Sequence, residues 1–297
     1  MVAGPYALDS SWVRRSFDRA GTTYDAASVL QAEVREILLE RLDLTRLEPR
    51  LVLDAGAGTG HASRALKRRY PGACVIALDF SLGMLRAAAN RQSLFRRFFR
   101  VCADAARLPL GEGCVDLILS NLLLPWIDPE PLFAEFRRVL APRGFLTFSS
   151  LGPDTLSELR EAWALADSHA RVHPFIDMHE LGDALVRAGF AGPVLDMERY
   201  TLHYEAVDRL AADLKASGER NAAAGRLKGL TGPRKWKAMS DAYEIHRRNG
   251  RLPATFEVVF GQAWAPALPR PRAAAAGSAT PLSLEEMRRQ IKTPRRR

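Results

Sequence analysis

From Leu51 onward, short unbroken apolar runs alternate with longer stretches in which apolar residues return every three or four positions. The runs are "LVLDA", "ACVIALDF", "FFRVCAD", "CVDLILSN" and "FLTFSSLG". Runs of this length, apolar on both sides, predict strands covered on two faces, and the periodic stretches predict amphipathic helices. "HASRALKRRY", "SLGMLRAAANRQ" (with Ser81 as N-cap) and "PEPLFAEFRRVLAPRG" are those helices, the last opened by prolines and stopped at Pro142-Arg143-Gly144. Strands joined through helices in this way imply right-handed crossovers and a parallel sheet, so the predicted class is α/β, doubly wound and mostly parallel.

The pattern changes on either side of this block. Before it, Val34, Ile37, Leu38 and Leu42 recur at helical spacing. After Gly152, helices are predicted at "DTLSELREAWALADSHA" (capped by Asp154), "DMHELGDALVRAGF" (closed by Gly189), "AVDRLAADLKASG" and "KWKAMSDAYEIHRR". Strands are predicted at "GPVLDMERYTLHY" and "LPATFEVVFGQAWA". The expected organisation is a helical lid segment over 1–48 and an α/β domain over 49–264. Within that domain a helical insertion runs over about 153–250, and a basic, flexible tail follows over 265–297.

The net charge of +9 adds less than it suggests, because the tail from Ala265 carries +6 of it and the other 264 residues only +3. A folded basic groove for nucleic acid is therefore not expected. Cys74, Cys102 and Cys114 form no C-x-x-C pair, which fits reduced, buried thiols. No apolar run approaches a membrane span and the first residues lack a signal core, so a cytoplasmic protein with no membrane contact is expected.

Candidate chemistry concentrates at "LVLDAGAGTG", where Gly56, Gly58 and Gly60 follow a strand and open a helix. Missing Cβ atoms let a ligand lie against the chain, and the helix start offers unpaired N–H groups. The sixth position of the dinucleotide pattern is His61, which argues against nicotinamide or flavin. Asp54, Asp79 and Asp104 each stand at the carboxyl end of a predicted strand and should meet in one crevice at the topological switch point. There Asp79 can grip both hydroxyls of a ribose, and Asp104 with Ala105 can meet an adenine edge. No metal-ligand cluster is evident.

Leu51 to Ser150, through "VLDAGAGTG", "ALDFS", "ADAARLPL" and "VDLILSNLLL", resembles the class I S-adenosylmethionine-dependent methyltransferases, which have a Rossmann-like fold. The resemblance implies S-adenosyl-L-methionine as cofactor. Asp54, Gly56, Gly58, Gly60, Asp79, Phe80, Asp104, Ala105 and Asn121 would hold it, with Asn121 near the methyl donor.

A second resemblance extends almost to Trp264. "RRSFDRAGTTYDAASVLQ", "FSSLGPDTLSELREAW", "HPFIDMHELGDALVRAGFAGPVLDMERYTLHY", "DLKASGERNAAAGRLKGL" and "GRLPATFEVVFGQAW" are similar to the malonyl-acyl carrier protein O-methyltransferase family of biotin synthesis. Some of these segments also resemble a mitochondrial family that assembles respiratory complex I and has arginine hydroxylation ascribed to it. That leaves a protein-modifying enzyme or assembly factor as the alternative. The first resemblance implies methyl esterification of a malonyl-thioester carboxylate, a nucleophile ionised near neutral pH that needs no general base. Candidates to orient it are Tyr24, in a segment that could fold over the cofactor, His173, His179 and Arg199. Arg96, Arg97 and Arg100, read on a helix, either dock the acidic carrier protein or form a solvated face. The "N-P-P-Y" type of motif used for amide and base N-methylation is absent.

Overall fold

The computed structural model describes residues 8–93, 95–169, 171–227 and 229–267. The chain divides into a unit Met1–Ala267 and a second unit Leu268–Arg297. The expected basic tail falls almost wholly in the second, outside the described residues. In chain order the elements are α1 (Ser10–Ala20), α2 (Tyr24–Ala27), α3 (Val29–Arg41), β1 (Leu51–Ala55), α4 (His61–Arg69), β2 (Cys74–Asp79), α5 (Leu82–Ala89), β3 (Phe99–Cys102) and β4 (Val115–Ser120). A 3₁₀ turn at Leu124–Trp126 leads to α6 (Pro129–Val139), β5 (Leu140–Leu151), α7 (Ser157–Ala166), α8 (Met178–Ala188), β6 (Ala191–Tyr204), α9 (Val207–Ala216), α10 (Pro233–Tyr243) and β7 (Leu252–Trp264).

The seven strands form one sheet in the order β3-β2-β1-β4-β5-β7-β6. The first five pair in parallel, and β7 runs antiparallel to both β5 and β6. The doubly wound, mostly parallel expectation is met. The near-continuous apolar strands follow from a sheet covered on both sides. Val52 and Leu117 face a core shared with Leu38 of α3 and Leu66 of α4, whereas Leu53 and Ile118 face Phe133 and Phe136 of α6. The chain steps from β1 to β2 on one side and later to β4 on the other. The switch point therefore lies between the carboxyl ends of β1 and β4.

Packing also decides one glycine in β7. Gly261 pairs with Phe148 of β5, and a Cβ there would stand 2.2 Å from a carbon of the Phe148 ring. Both neighbours are encased in core, so Gly261→Ala is expected to cost about 2–3 kcal/mol by overpacking. Urea unfolding checks this, and an unchanged midpoint would show that the ring moves aside freely.

Several local expectations are corrected. Pro142-Arg143-Gly144 lies inside β5 and does not terminate α6, which ends at Val139. α7 begins at Ser157 after Leu156, a residue with φ of 54°, and Asp154 does not cap it but pairs with Arg199. The section expected as one helical insertion over about 153–250 is divided by β6, because the carboxyl-terminal hairpin must complete the sheet edge. α5 ends at Ala89, and Arg96 and Arg97 occupy a connection before β3, with Arg100 within it. Pairing of Phe99–Cys102 with Ile76–Asp79 there overrides the helical pattern of charges. The thiols are not buried: Cys102 and Cys114 are exposed and Cys74 is half-buried, since they sit at strand ends and in a turn.

Candidate active site

The crevice at the switch point is built from the exit of β1. Gly56, Gly58 and Gly60 have φ of 74°, 52° and 80°, a region that L side chains rarely adopt. The three serve different ends. A Cβ on Gly56 would press on Leu123, and one on Gly60 would collide with Ala88 at 2.8 Å, so the absence of a side chain at Gly60 serves the packing of α4 on α5. A Cβ on Gly58 would meet nothing within 4 Å. That space beside the loop is where a ligand can lie against the backbone.

Asp79, at the end of β2, organises this loop. Its two carboxylate oxygens accept the backbone N–H of Gly58 at 2.9 Å and of Ser81 at 2.8 Å. Burial pushes its carboxyl up to about 6 against the pull of these backbone donors. Each oxygen keeps a lone pair for a further donor. Asp54, 1% exposed, accepts from the Ser63 hydroxyl. Burial, with the nearby Asp79 charge adding to it, pushes its carboxyl up to about 7. Asp54 thus ties β1 to α4 from inside, whereas Asp79 faces the crevice.

Gly56, Asp79, Phe80, Asp104 and Ala105 line one cleft with Leu123 and Trp126. The cleft holds about 40 Å³, so a nucleoside enters only if Leu123 and Trp126 give way. It shares Phe80, Asp104, Trp126 and Ile127 with a larger cavity of about 820 Å³. Asp104 stands two residues beyond β3, where its carboxylate accepts from Ala106 N–H. Asn121 is held by the protein on both sides of its amide: it donates to the Gln31 carbonyl at 3.0 Å and accepts from Ser149 Oγ at 3.0 Å. Ser149 in turn accepts Leu122 N–H, which fixes a backbone with φ of 51° at the head of the turn that carries Trp126.

The amino-terminal segment reaches this loop through Asp25. Its carboxylate accepts from Thr59 Oγ1 at 2.6 Å, stands 3.3 Å from His61 Nε2 and pairs with Arg91. Beside it, half-buried Tyr24 has its hydroxyl pushed up by desolvation and then by the charges of Glu219 and Asp79. It therefore remains protonated at neutral pH.

A second cavity, of about 260 Å³, is lined by Trp126, Phe175, Leu214 and Phe256, with Arg171, His173, Lys215, Glu219 and Arg220. Trp126 is a wall of both this cavity and the smaller cleft beside Asp79. Glu219 accepts from Gln31 Nε2 at 2.6 Å, and burial raises its carboxyl to about 7. His173, 4% exposed, stacks between Trp126 and Phe175 with ring centroids at 5.0 and 4.7 Å. His179 is not brought to the crevice. Its ring faces solvent in the first turn of α8 and bonds Asp177, the residue capping that helix. Arg199 lies on β6 in its pair with Asp154. The sequence reading missed Gln31, Ser149, Arg171, Lys215, Glu219 and Arg220. Gln31, Ser149, Lys215, Glu219 and Arg220 all lie in stretches quoted for their resemblance, which singled out none of them.

A glycine loop clasped by a strand-end carboxylate, at the switch point of this sheet, defines a class I S-adenosylmethionine-dependent methyltransferase. A family model described as a methyltransferase domain matches residues 53–148. The YcgJ protein of Bacillus subtilis shares the fold, with a TM-score of 0.55 at 16% identity over 77% of this chain and 97% of that one. The chain is 52% identical to the malonyl-[acyl-carrier protein] O-methyltransferase of Methylovorus sp. over 90% of its length and 92% of the relative's. It is also 52% identical to that of Laribacter hongkongensis over 90% and 93%. The chain belongs to the malonyl-[acyl-carrier protein] O-methyltransferase family.

Proposed function

We infer that the protein transfers the methyl group of S-adenosylmethionine to the free carboxylate of a malonyl group held as a thioester on acyl carrier protein. This esterification masks a charge at the start of pimeloyl, and hence biotin, synthesis. The observation that carries the reading is the 52% identity, over nine-tenths of the chain, to relatives bearing that name. The arginine hydroxylase alternative has no support in the site or in these relatives.

The residues present fit the cofactor. Asp79 has free lone pairs toward a ribose, Gly58 leaves room beside the backbone, Ala105 lines the cleft, and Phe80 and Asp104 border both it and the cavity beyond. The bound cofactor supplies an electrophilic methyl on a sulfonium. The chain must align a carboxylate with it and exclude water. The Trp126 cavity suits that task, being mostly apolar with cations at its wall. Arg171 is committed to Asp167, whereas among the described residues Lys215 and Arg220 have no ion-pair partner. In this reading those two draw the carboxylate in, and the neutral Tyr24 hydroxyl donates to it. His179 has no part.

The carrier protein docks, in this reading, at the connection before β3. Phe95 and Phe99 are exposed there beside Arg96 and Arg97, and Arg97, Arg100 and Arg86 line a cavity of about 510 Å³. Exposed cations around aromatic anchors suit an acidic partner. We place the protein in the cytoplasm, where three free thiols stay reduced. Among the described residues no helix is long and apolar enough to cross a membrane.

The test is transfer of label from S-adenosylmethionine to malonyl-acyl carrier protein as a base-labile methyl ester. Absence of transfer defeats the reading. Replacing both Lys215 and Arg220 with methionine is expected to raise the KM for the malonyl thioester about tenfold, as for two partly solvated charge contacts. Affinity for S-adenosylhomocysteine should be unchanged. An unaltered KM would remove these cations from the acceptor site.

A further inference from the structure

Four polar side chains from segments far apart in the chain join into one directed series of hydrogen bonds. Glu219, beyond α9, lines the Trp126 cavity and accepts from Gln31 Nε2 of α3 at 2.6 Å. The Gln31 backbone carbonyl accepts from Asn121 Nδ2, just past β4, at 3.0 Å. Asn121 Oδ1 accepts from Ser149 Oγ of β5 at 3.0 Å, and that same oxygen accepts Leu122 N–H at 2.9 Å. Gln31 and Ser149 are buried, 6% and 0% exposed, so their bonds have little water to replace them and are costly to break. The series ends on a backbone with φ of 51°, which opens the turn from Leu122 to Trp126.

That turn borders the space of both ligands. Leu123 and Trp126 line the narrow cleft beside Asp79, and Trp126 N–H donates to the Leu123 carbonyl at 3.0 Å, which ties the two together. Trp126 is also a wall of the cavity that Glu219 lines. A nucleoside selects the position of the turn that vacates the cleft. An acceptor that must reach the cleft from the Trp126 cavity needs that same position. Two ligands that select one state raise each other's affinity by the same factor. We propose that Gln31 is a positioning residue joining the two sites. Through Glu219 on one side and Asn121 on the other it sets the turn, so that S-adenosylmethionine and the malonyl thioester bind with positive coupling. The inference rests on the malonyl-thioester reading above.

The full chain is titrated calorimetrically with S-adenosylhomocysteine, which has no methyl to transfer, alone and with saturating malonyl-acyl carrier protein. The wild-type affinity is expected to rise about fivefold or more when the acceptor is present. Gln31→Glu replaces the bond with two opposed carboxylates and should bring that ratio near one. Adding Glu219→Gln restores the pair with donor and acceptor exchanged and should recover most of the ratio. A general loss of packing would weaken both titrations alike and would not be repaired by the exchange. A ratio of one in wild type overturns the inference, as does a wild-type ratio in Gln31→Glu or an exchange that repairs nothing. If Gln31→Glu does not fold, Glu219→Met breaks the same bond from the cavity side and is judged by the same ratio. Label transfer from S-adenosylmethionine separates the inference from the reading. Transfer to malonyl-acyl carrier protein with a ratio of one overturns the inference alone, whereas neither transfer nor binding of that acceptor overturns both.

Discussion

Replacing Asp79 with alanine lowers the affinity for S-adenosylhomocysteine at least about 100-fold in calorimetric titration. Two hydrogen bonds to an ionised carboxylate, each of about 1.5–3 kcal/mol, are lost with the side chain. The same substitution leaves Gly58 N–H and Ser81 N–H without their acceptor, so the loop loses its clasp. The fold survives, because burial already makes the Asp79 charge unfavourable and its removal offsets part of the lost bonding. Unchanged affinity would take Asp79 out of the cofactor site. The pH dependence has a definite sign. Ribose hydroxyls donate to the ionised form, so affinity weakens as pH falls through about 6. The unliganded protein responds in the opposite direction. Carboxyls raised by folding cost stability while ionised, so stability rises as pH falls through about 7 for Asp54 and Glu219 and about 6 for Asp79.

Asp25→Ala is expected to lower kcat/KM for the malonyl thioester about 30-fold or more while the protein remains folded. Asp25 is the point at which the amino-terminal segment grips the glycine loop, and its loss strips an acceptor from Thr59 and a counter-charge from Arg91. About 2 kcal/mol for a charge-assisted hydrogen bond with its ion pair corresponds to that factor. Tyr24, the preceding residue, shares the short helix that this grip anchors. Limited proteolysis supplies a second readout, since cleavage within 21–28 should appear in the variant. Full activity with no new cleavage would show that the segment holds itself closed by other contacts.

The parts of the site that were legible beforehand are local in the chain. Three glycines within five residues and an acid ending an apolar run declare a tight turn into a helix before any fold is known, because strand, turn and helix start are adjacent. Asp79 could be placed from the sequence because a parallel sheet sends the carboxyl end of every strand to the same edge. The misread elements fail for the opposite reason. The helical spacing of Arg96 and Arg100 is a local pattern, and a partner strand more than 20 residues away overrode it. His173 could be singled out but not understood, because its burial against the Trp126 ring joins segments some 47 residues apart along the chain.

Alone, the sequence determined the layered α/β class, the glycine bend with its strand-end acids, and the family. Each of these rests on periodicity, on residue conformational preference or on order along the chain. Tertiary structure alone decided which of the glycines borders open space and which is closed in by Ala88, and that Asp25 accepts from Thr59. It also brought Gln31 and Glu219 together across 188 residues and left one nitrogen of His173 without a partner. Those outcomes depend on distances between segments remote in the chain, set when both faces of the sheet are packed at once.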